Sequence, residues 1–201
     1  MARLAVAPGP AVEDWARRGR PLMARRPGPC DVAWRAPAGL PLPPALGKRR
    51  IALSLDPGAV VSVEPPPKLE DCAGLAPKTW RTTIEAALAA GAAAGATPRC
   101  FGSLAWRALT GLPYLGAASD LDLIFCVDAR TDVEALLARL DALASNAPTR
   151  VDGEVIRAET GCAANWRELA DGAPEVLAKS VEGAVLMSRA AFLRRPAGAA
   201  A

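Results

Sequence analysis

The sequence predicts an α/β (α+β) fold: a small mixed sheet flanked by helices, preceded by a small, mainly β N-terminal module. Three observations carry this. After about residue 70, apolar runs of strand length alternate with stretches of helix length. Before it, proline and glycine cut the chain into short apolar pieces. Between them, Glu64-Pro65-Pro66-Pro67-Lys68 reads as a stiff connector. The expected limits are 1–70 for the module, 71–195 for the second domain and 196–201 for a disordered tail.

In the module, Val12 to Arg18 fits one short helix, and Pro21–Ala24, Asp31–Trp34 and Arg50–Leu55 are short apolar runs. In the second domain, Thr79 to Ala94 is an alanine-rich helix. Pro98 to Phe101 is a short strand that turns at Gly102-Ser103 into a helical stretch, Leu104 to Leu109. Gly111 to Gly116 is a loop. Leu121 to Val127 is apolar on both faces and belongs inside a sheet. Thr131 to Asn146 is the clearest helix, with Thr131 and Glu134 arranged as a capping box and Val133, Leu136, Leu137, Leu140 and Ala144 as its stripe. Val151 to Arg157 alternates as a strand, with Asp152, Glu154 and Ile156 on one face. Asn165–Ala170 is a short helix, Val176–Lys179 and Ala184–Met187 are strands, and Arg189–Arg194 is a final helical turn.

Composition narrows the chemistry. There are no histidines, which excludes Ser-His-Asp and Cys-His catalysis and histidine-bound zinc. A metal site must then be built from carboxylates and other oxygens, which favours Mg²⁺ or Mn²⁺. The net charge of +3, from 24 basic and 21 acidic residues, is too mild for a nucleic-acid binder, and no aromatic-studded basic face is visible. The five cysteines include no CxxC pair and are expected to be reduced and mostly buried. The Ala/Gly run from Ala86 to Ala96 is too short and too weakly apolar for a membrane span, and no signal peptide is evident. A cytoplasmic bacterial protein is expected.

The chemistry concentrates in Ser119-Asp120-Leu121-Asp122-Leu123. Residues two apart on a strand share a face, with α-carbons roughly 6.6 Å apart. Asp120 and Asp122 therefore project together, able to share one Mg²⁺ or grip two ions. Alone, such a pair also describes two exposed aspartates at a strand mouth. Upstream, Arg99-Cys100-Phe101-Gly102-Ser103 is a strand that ends in Gly-Ser and opens a helix. That junction offers backbone N–H groups, the helix dipole and a hydroxyl to an anion. Alone, it is an ordinary turn and cap. Asp152 and Glu154 each supply a third carboxylate on a following strand, with Asp152 slightly favoured.

Phe101-Gly102-Ser103 followed by Asp120-Leu121-Asp122-Leu123 resembles the polymerase beta-like nucleotidyltransferase superfamily, with a spacer longer than its common range. The blocks Gly102 to Leu115, Ser119 to Leu123, Val151 to Val155, Asn165 to Leu169 and Val176 to Lys179 are similar to the phosphoribosyl-dephospho-CoA transferases, the holo-acyl-carrier-protein synthases of malonate decarboxylase. The likeness covers about residues 77 to 190 and is thinner over the proline-rich start. It implies a nucleotidyltransferase-like sheet and transfer of phosphoribosyl-dephospho-CoA from 2′-(5″-triphosphoribosyl)-3′-dephospho-CoA to a serine of the decarboxylase's acyl-carrier subunit, with release of pyrophosphate. It further implies Mg²⁺ on Asp120, Asp122 and Asp152, with Asp152 or Glu154 also able to accept the serine proton, and terminal phosphates at Gly102 and Ser103. Arg167 and Lys179 are expected phosphate contacts, Arg81 and Arg107 weaker ones. Trp106 and Trp166 are read as core or pocket wall rather than adenine platforms. Neither nucleic acid nor membrane is an expected partner. The competing readings are a Mg²⁺-dependent nucleotidyltransferase with another acceptor, a non-catalytic nucleotide-binding module, and a structural partner of the decarboxylase.

Overall fold

A computed structural model describes residues 9–194. The expected tail, 196–201, lies outside the described residues. The chain divides into two compact units. The first takes the residues up to Val63 together with Leu109–Pro113; the second takes Glu64–Ala108 and the chain from Tyr114 onward.

The first unit holds helix α1 (Pro10–Arg17) and a three-stranded antiparallel sheet in the order β1 (Met23–Ala24), β2 (Ala36–Pro41), β3 (Arg50–Leu55). The short apolar run Asp31–Trp34 forms no strand; β2 follows it. It carries Pro37 and Pro41, residues that cannot donate to a ladder. They are tolerated because β1 pairs with β2 only at Gly39 and Ala38. Asp31 instead closes a turn: its carboxylate accepts from the Gly28 N–H at 2.6 Å and pairs with the Arg25 guanidinium. Arg25 first, and the Gly28 N–H second, pull the Asp31 carboxyl down to about 2. Trp34, at the end of that run, is 65% exposed.

The second unit begins with a short helix, α2 (Leu69–Cys72), and two 3-10 turns, Ala73–Leu75 and Lys78–Trp80, the second of which leads into α3 (Arg81–Ala94). Strand β4 (Pro98–Cys100) and helix α4 (Gly102–Thr110) follow, then β5 (Leu121–Val127), α5 (Val133–Ser145), β6 (Val151–Arg157) and β7 (Ala163–Asn165). Helix α6 (Trp166–Ala170), β8 (Glu175–Lys179), β9 (Ala184–Ser188) and α7 (Arg189–Leu193) complete it. The sheet runs β4-β5-β6-β7-β8-β9. Only β5 and β6 are parallel; the other neighbours are antiparallel. The helix between β5 and β6 is the crossover that a parallel pair needs. The expected mixed sheet with helices is therefore present.

Strand β5 lies inside the sheet, as expected, but only one of its faces is covered. Leu121, Leu123, Phe125 and Val127 are fully buried in one core with Ile84 and Ala87 of α3, Leu136 and Leu140 of α5, and Trp166 and Leu169 of α6. On the opposite face Asp122 and Ile124 are half-buried and Cys126 is exposed. Apolar character on both faces did not entail cover on both. The same geometry corrects the cysteine expectation. Cys72 and Cys100 are buried, Cys162 is intermediate, and Cys30 and Cys126 are exposed; all five are free.

The α5 cap also differs from the expected capping box. Asp132, not Thr131, is the N-cap, accepting the Ala135 N–H at 3.0 Å. Thr131 Oγ1 is turned to the preceding loop, where it accepts the Asp128 N–H at 3.1 Å. Glu134 is drawn away to Arg189, 2.7 Å distant.

Candidate active site

The half-buried face of β5 and β6 gathers the acidic residues. The parallel register sets Asp122 beside Asp152 and Ile124 beside Glu154. Asp120 precedes β5 by one residue, and the Leu121 N–H bonds to Arg150 O at 2.9 Å, which extends the pairing to the strand mouth. Asp120, Asp122 and Asp152 thus belong to one end of one sheet face.

The Gly-Ser turn meets this cluster directly. The Phe101 N–H donates to Asp122 O at 3.1 Å, carrying the β4–β5 ladder one residue past β4. Gly102 then turns the chain with φ of 63° into α4. A Cβ at Gly102 would stand 1.9 Å from Asp122 Oδ2, so only glycine fits against that carboxylate. Helix α4 begins at Gly102 itself, two residues before the expected start, and places Ser103 in its first turn.

Electrostatics separate the carboxylates. Burial, then the charges of Asp120 and Asp152, push the Asp122 carboxyl up to about 6, with Arg150 opposing. Burial works against the charge of Asp152 as well, but there it is outweighed. The Asn165 amide, the Gly153 N–H, Arg150 and Arg167 together hold the Asp152 carboxyl below its ordinary value. Asn165 Nδ2 donates to Asp152 Oδ1 at 2.9 Å, and the Gly153 N–H donates to the same oxygen at 2.8 Å. Arg150 Nη2 lies 2.7 Å from Asp152 Oδ2, and its Nη1 lies 3.5 Å from Asp120 Oδ2.

Glu154 is placed otherwise. Its Oε1 accepts from Lys179 Nζ of β8 at 2.9 Å, so the two residues form an ion pair on the same sheet face. Lys179 is thereby engaged, and so is Arg167. The Arg167 guanidinium donates to Val151 O at 2.8 Å and lies 4.5 Å over the Trp166 ring. Trp166 is a core residue, 1% exposed. Trp106 is half-buried one turn beyond Ser103, its ring 6.1 Å from that of Tyr114. Arg81 is exposed, 4.0 Å from Glu85, and Arg107 is partly buried on α4.

Two residues of this site escaped the sequence reading. Asn165 was read as a helix start within a block of the family resemblance, with no role at the site, yet it serves Asp152 with its amide while its oxygen caps α6 through the Arg167 N–H at 2.9 Å. Arg150 carried no signal beyond its position before a strand.

The donor chemistry fits a hard divalent cation: three carboxylates on one face, one of them raised by burial first and by the charges of the other two second. Among the described residues no group of three Cys, Asp and Glu side chains is spaced to hold an ion as it stands. Arg150 engages two of the three aspartates. Nor is any described helix long and apolar enough to cross a membrane.

Comparison with known proteins identifies the family. Residues 68–190 match the family model described as phosphoribosyl-dephospho-CoA transferase MdcG C-terminal domain, and residues 2–66 match that of its N-terminal domain. A phosphoribosyl-dephospho-CoA transferase of Bradyrhizobium diazoefficiens is 39% identical over 184 residues, covering 92% of this chain and 80% of the relative. Another, from Xanthomonas campestris pv. campestris, is 37% identical over 190 residues, covering 94% and 89%. A third, from Xanthomonas euvesicatoria pv. vesicatoria, is 36% identical over 190 residues with the same coverage. No solved structure gives a significant match. Two family models that together take in nearly the whole chain, and relatives of this identity and coverage, place the protein among the transferases: it belongs to the phosphoribosyl-dephospho-CoA transferase family.

Proposed function

We propose that the protein transfers phosphoribosyl-dephospho-CoA from 2′-(5″-triphosphoribosyl)-3′-dephospho-CoA to a serine of the acyl-carrier subunit of malonate decarboxylase. The observation that carries this reading is the contact of Gly102 with Asp122, which seats an anion-receiving turn against a cluster of carboxylates. Asp120, Asp122 and Asp152 would hold Mg²⁺, which supplies charge neutralisation on the α- and β-phosphates. Gly102 and Ser103, at the start of α4, receive the terminal phosphates. The carrier serine Oγ forms a bond to the α-phosphorus while the bond from that phosphorus to the bridging oxygen of the leaving pyrophosphate breaks. The serine proton passes to a carboxylate of the same face. No covalent enzyme intermediate is required, which suits a chain without histidine.

Asp152 is the third carboxylate in this proposal. It stands in register with Asp122, whereas Glu154 is paired with Lys179. The proposed setting is the bacterial cytoplasm, in keeping with five free cysteines.

The test is the intact mass of a purified malonate decarboxylase acyl-carrier subunit after incubation with this protein, Mg²⁺ and the triphosphoribosyl donor. The expected result is a gain equal to phosphoribosyl-dephospho-CoA that is absent with Asp120→Ala and Asp122→Ala. A competent donor and carrier that give no gain would refute the acceptor assignment, and a parallel arm with ATP tests for another nucleotidyl donor.

A further inference from the structure

Arg150 stands at the mouth of the site on the residue before β6. Its carbonyl accepts the Leu121 N–H at 2.9 Å, and the preceding Thr149 donates its Oγ1 to Ser119 O at 2.8 Å. These two bonds fix the backbone of Arg150 alongside Asp120. Its guanidinium then spans two strands, with one nitrogen at Asp152 Oδ2 and the other toward Asp120 Oδ2. The shorter contact, 2.7 Å, is a close ion pair. Arg150 is nonetheless 59% exposed along its side chain, unlike Arg167, which is packed over Trp166.

The decisive feature is which oxygen Arg150 takes. Asp152 Oδ1 already accepts both the Asn165 amide and the Gly153 N–H. Oδ2 is the oxygen left for any cation, and Arg150 is on it. A guanidinium and a metal ion cannot share that position. Exposed ion pairs are weak, so giving this one up costs little. A guanidinium so released lies at a mouth where phosphate oxygens would arrive, and its planar donors match them two at a time.

We propose that Arg150 is an exchangeable counter-ion, which neutralises Asp120 and Asp152 in the metal-free protein, yields them to a divalent cation and turns to the triphosphate of the donor. The inference rests on the reading above that the three aspartates take such an ion. It makes Arg150 a positioning residue in one state and a phosphate contact in the other.

The test is Mn²⁺ binding by the full chain without donor, followed by calorimetry, for the native protein, Arg150→Met, Arg150→Lys and Asp122→Asn. Arg150→Met is expected to bind Mn²⁺ about fivefold more tightly, the size that two half-exposed ion contacts carry. Arg150→Lys keeps the charge but cannot span both carboxylates, and is expected to gain a large part of that increase. With Mn²⁺ bound, Arg150→Met is expected to hold inorganic tripolyphosphate about tenfold more weakly. Equal Mn²⁺ affinity in the native and Met proteins overturns the exchange while leaving the metal reading in place. Native affinity in the Lys variant overturns it too, by reducing the effect to net charge. Mn²⁺ bound by neither the native nor the Met protein removes the metal reading and the exchange together.

Discussion

Gly102 and Asp122 occupy each other's space: the position a Cβ would take on Gly102 lies 1.9 Å from Asp122 Oδ2. The left-handed turn at Gly102, φ 63°, and the first carboxylate of β5 are therefore one structural unit, although 20 residues separate them in the chain. Gly102→Ala must move the turn, the carboxylate or both. The strained backbone alone costs about 1 kcal/mol. A displacement of about 1 Å at a reacting centre costs roughly 100-fold in rate. We expect Gly102→Ala to fold with a modestly lower Tm and to lose about 100-fold in kcat for carrier modification. Near-native turnover in a steady-state assay would show that the contact is not needed.

Asp122 makes the metal-free protein sensitive to pH. Its carboxyl is raised to about 6, by burial first and by Asp120 and Asp152 second, from an ordinary value of 3.8. The folded chain therefore holds this proton more tightly than the unfolded one. That contribution to stability is full below about pH 4 and is lost as pH rises through about 6. Asp122→Asn removes the repulsion, so it is expected to raise the metal-free Tm at pH 7.5 by about 4 °C. The gap should close by pH 4. Melting curves at the two pH values, with a chelator present, decide the matter; a constant gap speaks against charge repulsion.

On the proposed metal reading, the same proton competes with the ion. Mn²⁺ affinity of the native protein is expected to climb as pH rises from 5 to 7 and to flatten above, because Asp122 sheds its proton across that range. Calorimetric titrations at intervals of half a pH unit would reveal the curve. A flat profile would separate Asp122 from the ion.

Asn165 joins two tasks that substitution can divide. As N-cap of α6 it is replaceable by serine, which caps comparably well. Serine is too short to reach Asp152 as the amide does, at 2.9 Å. Asn165→Ser should hold the unfolding free energy within about 0.5 kcal/mol of native while the acid limb of the rate profile moves to higher pH. Asn165→Ala should lose the cap as well, at about 1 kcal/mol. A pH profile for Asn165→Ser that overlays the native one would assign the residue to capping alone.

The third carboxylate is tested by a pair of isosteric changes. Asp152→Asn is expected to cut carrier modification about 100-fold or more. Glu154→Gln, which breaks only the ion pair with Lys179, is expected to cost less than about tenfold. The reverse order would hand the role to Glu154.

Much of this site was legible in the chain itself. The alternation of Val151 to Arg157 put Asp152 and Glu154 on one face, and they share it. The Gly-Ser turn and the Asp-Leu-Asp strand were visible as separate local signals, since each is a matter of residue type and spacing. The helix cap at Thr131 was misread because Asp132, next to it, offers an equally good acceptor, and the Asp128 loop claims the threonine. Strand β2 was missed because two prolines argue against a strand unless the partner's shortness is known.

By itself, then, the sequence determined the order of elements, the absence of imidazole chemistry, the acidic strand and the glycine turn, all consequences of local periodicity and side-chain identity. Only the tertiary structure decided which oxygens meet which cations. The parallel register of β5 and β6 set Asp122 opposite Asp152, and left Glu154 to Lys179. It brought Arg150 onto Asp152 Oδ2 and Asn165 onto Oδ1. Apart from the Arg150–Asp152 pair, two residues apart at the start of β6, those partnerships join different strands, and register between strands is fixed by the packing of the buried face, Leu121 to Val127 against α3 and α5, rather than by any residue's neighbours in sequence.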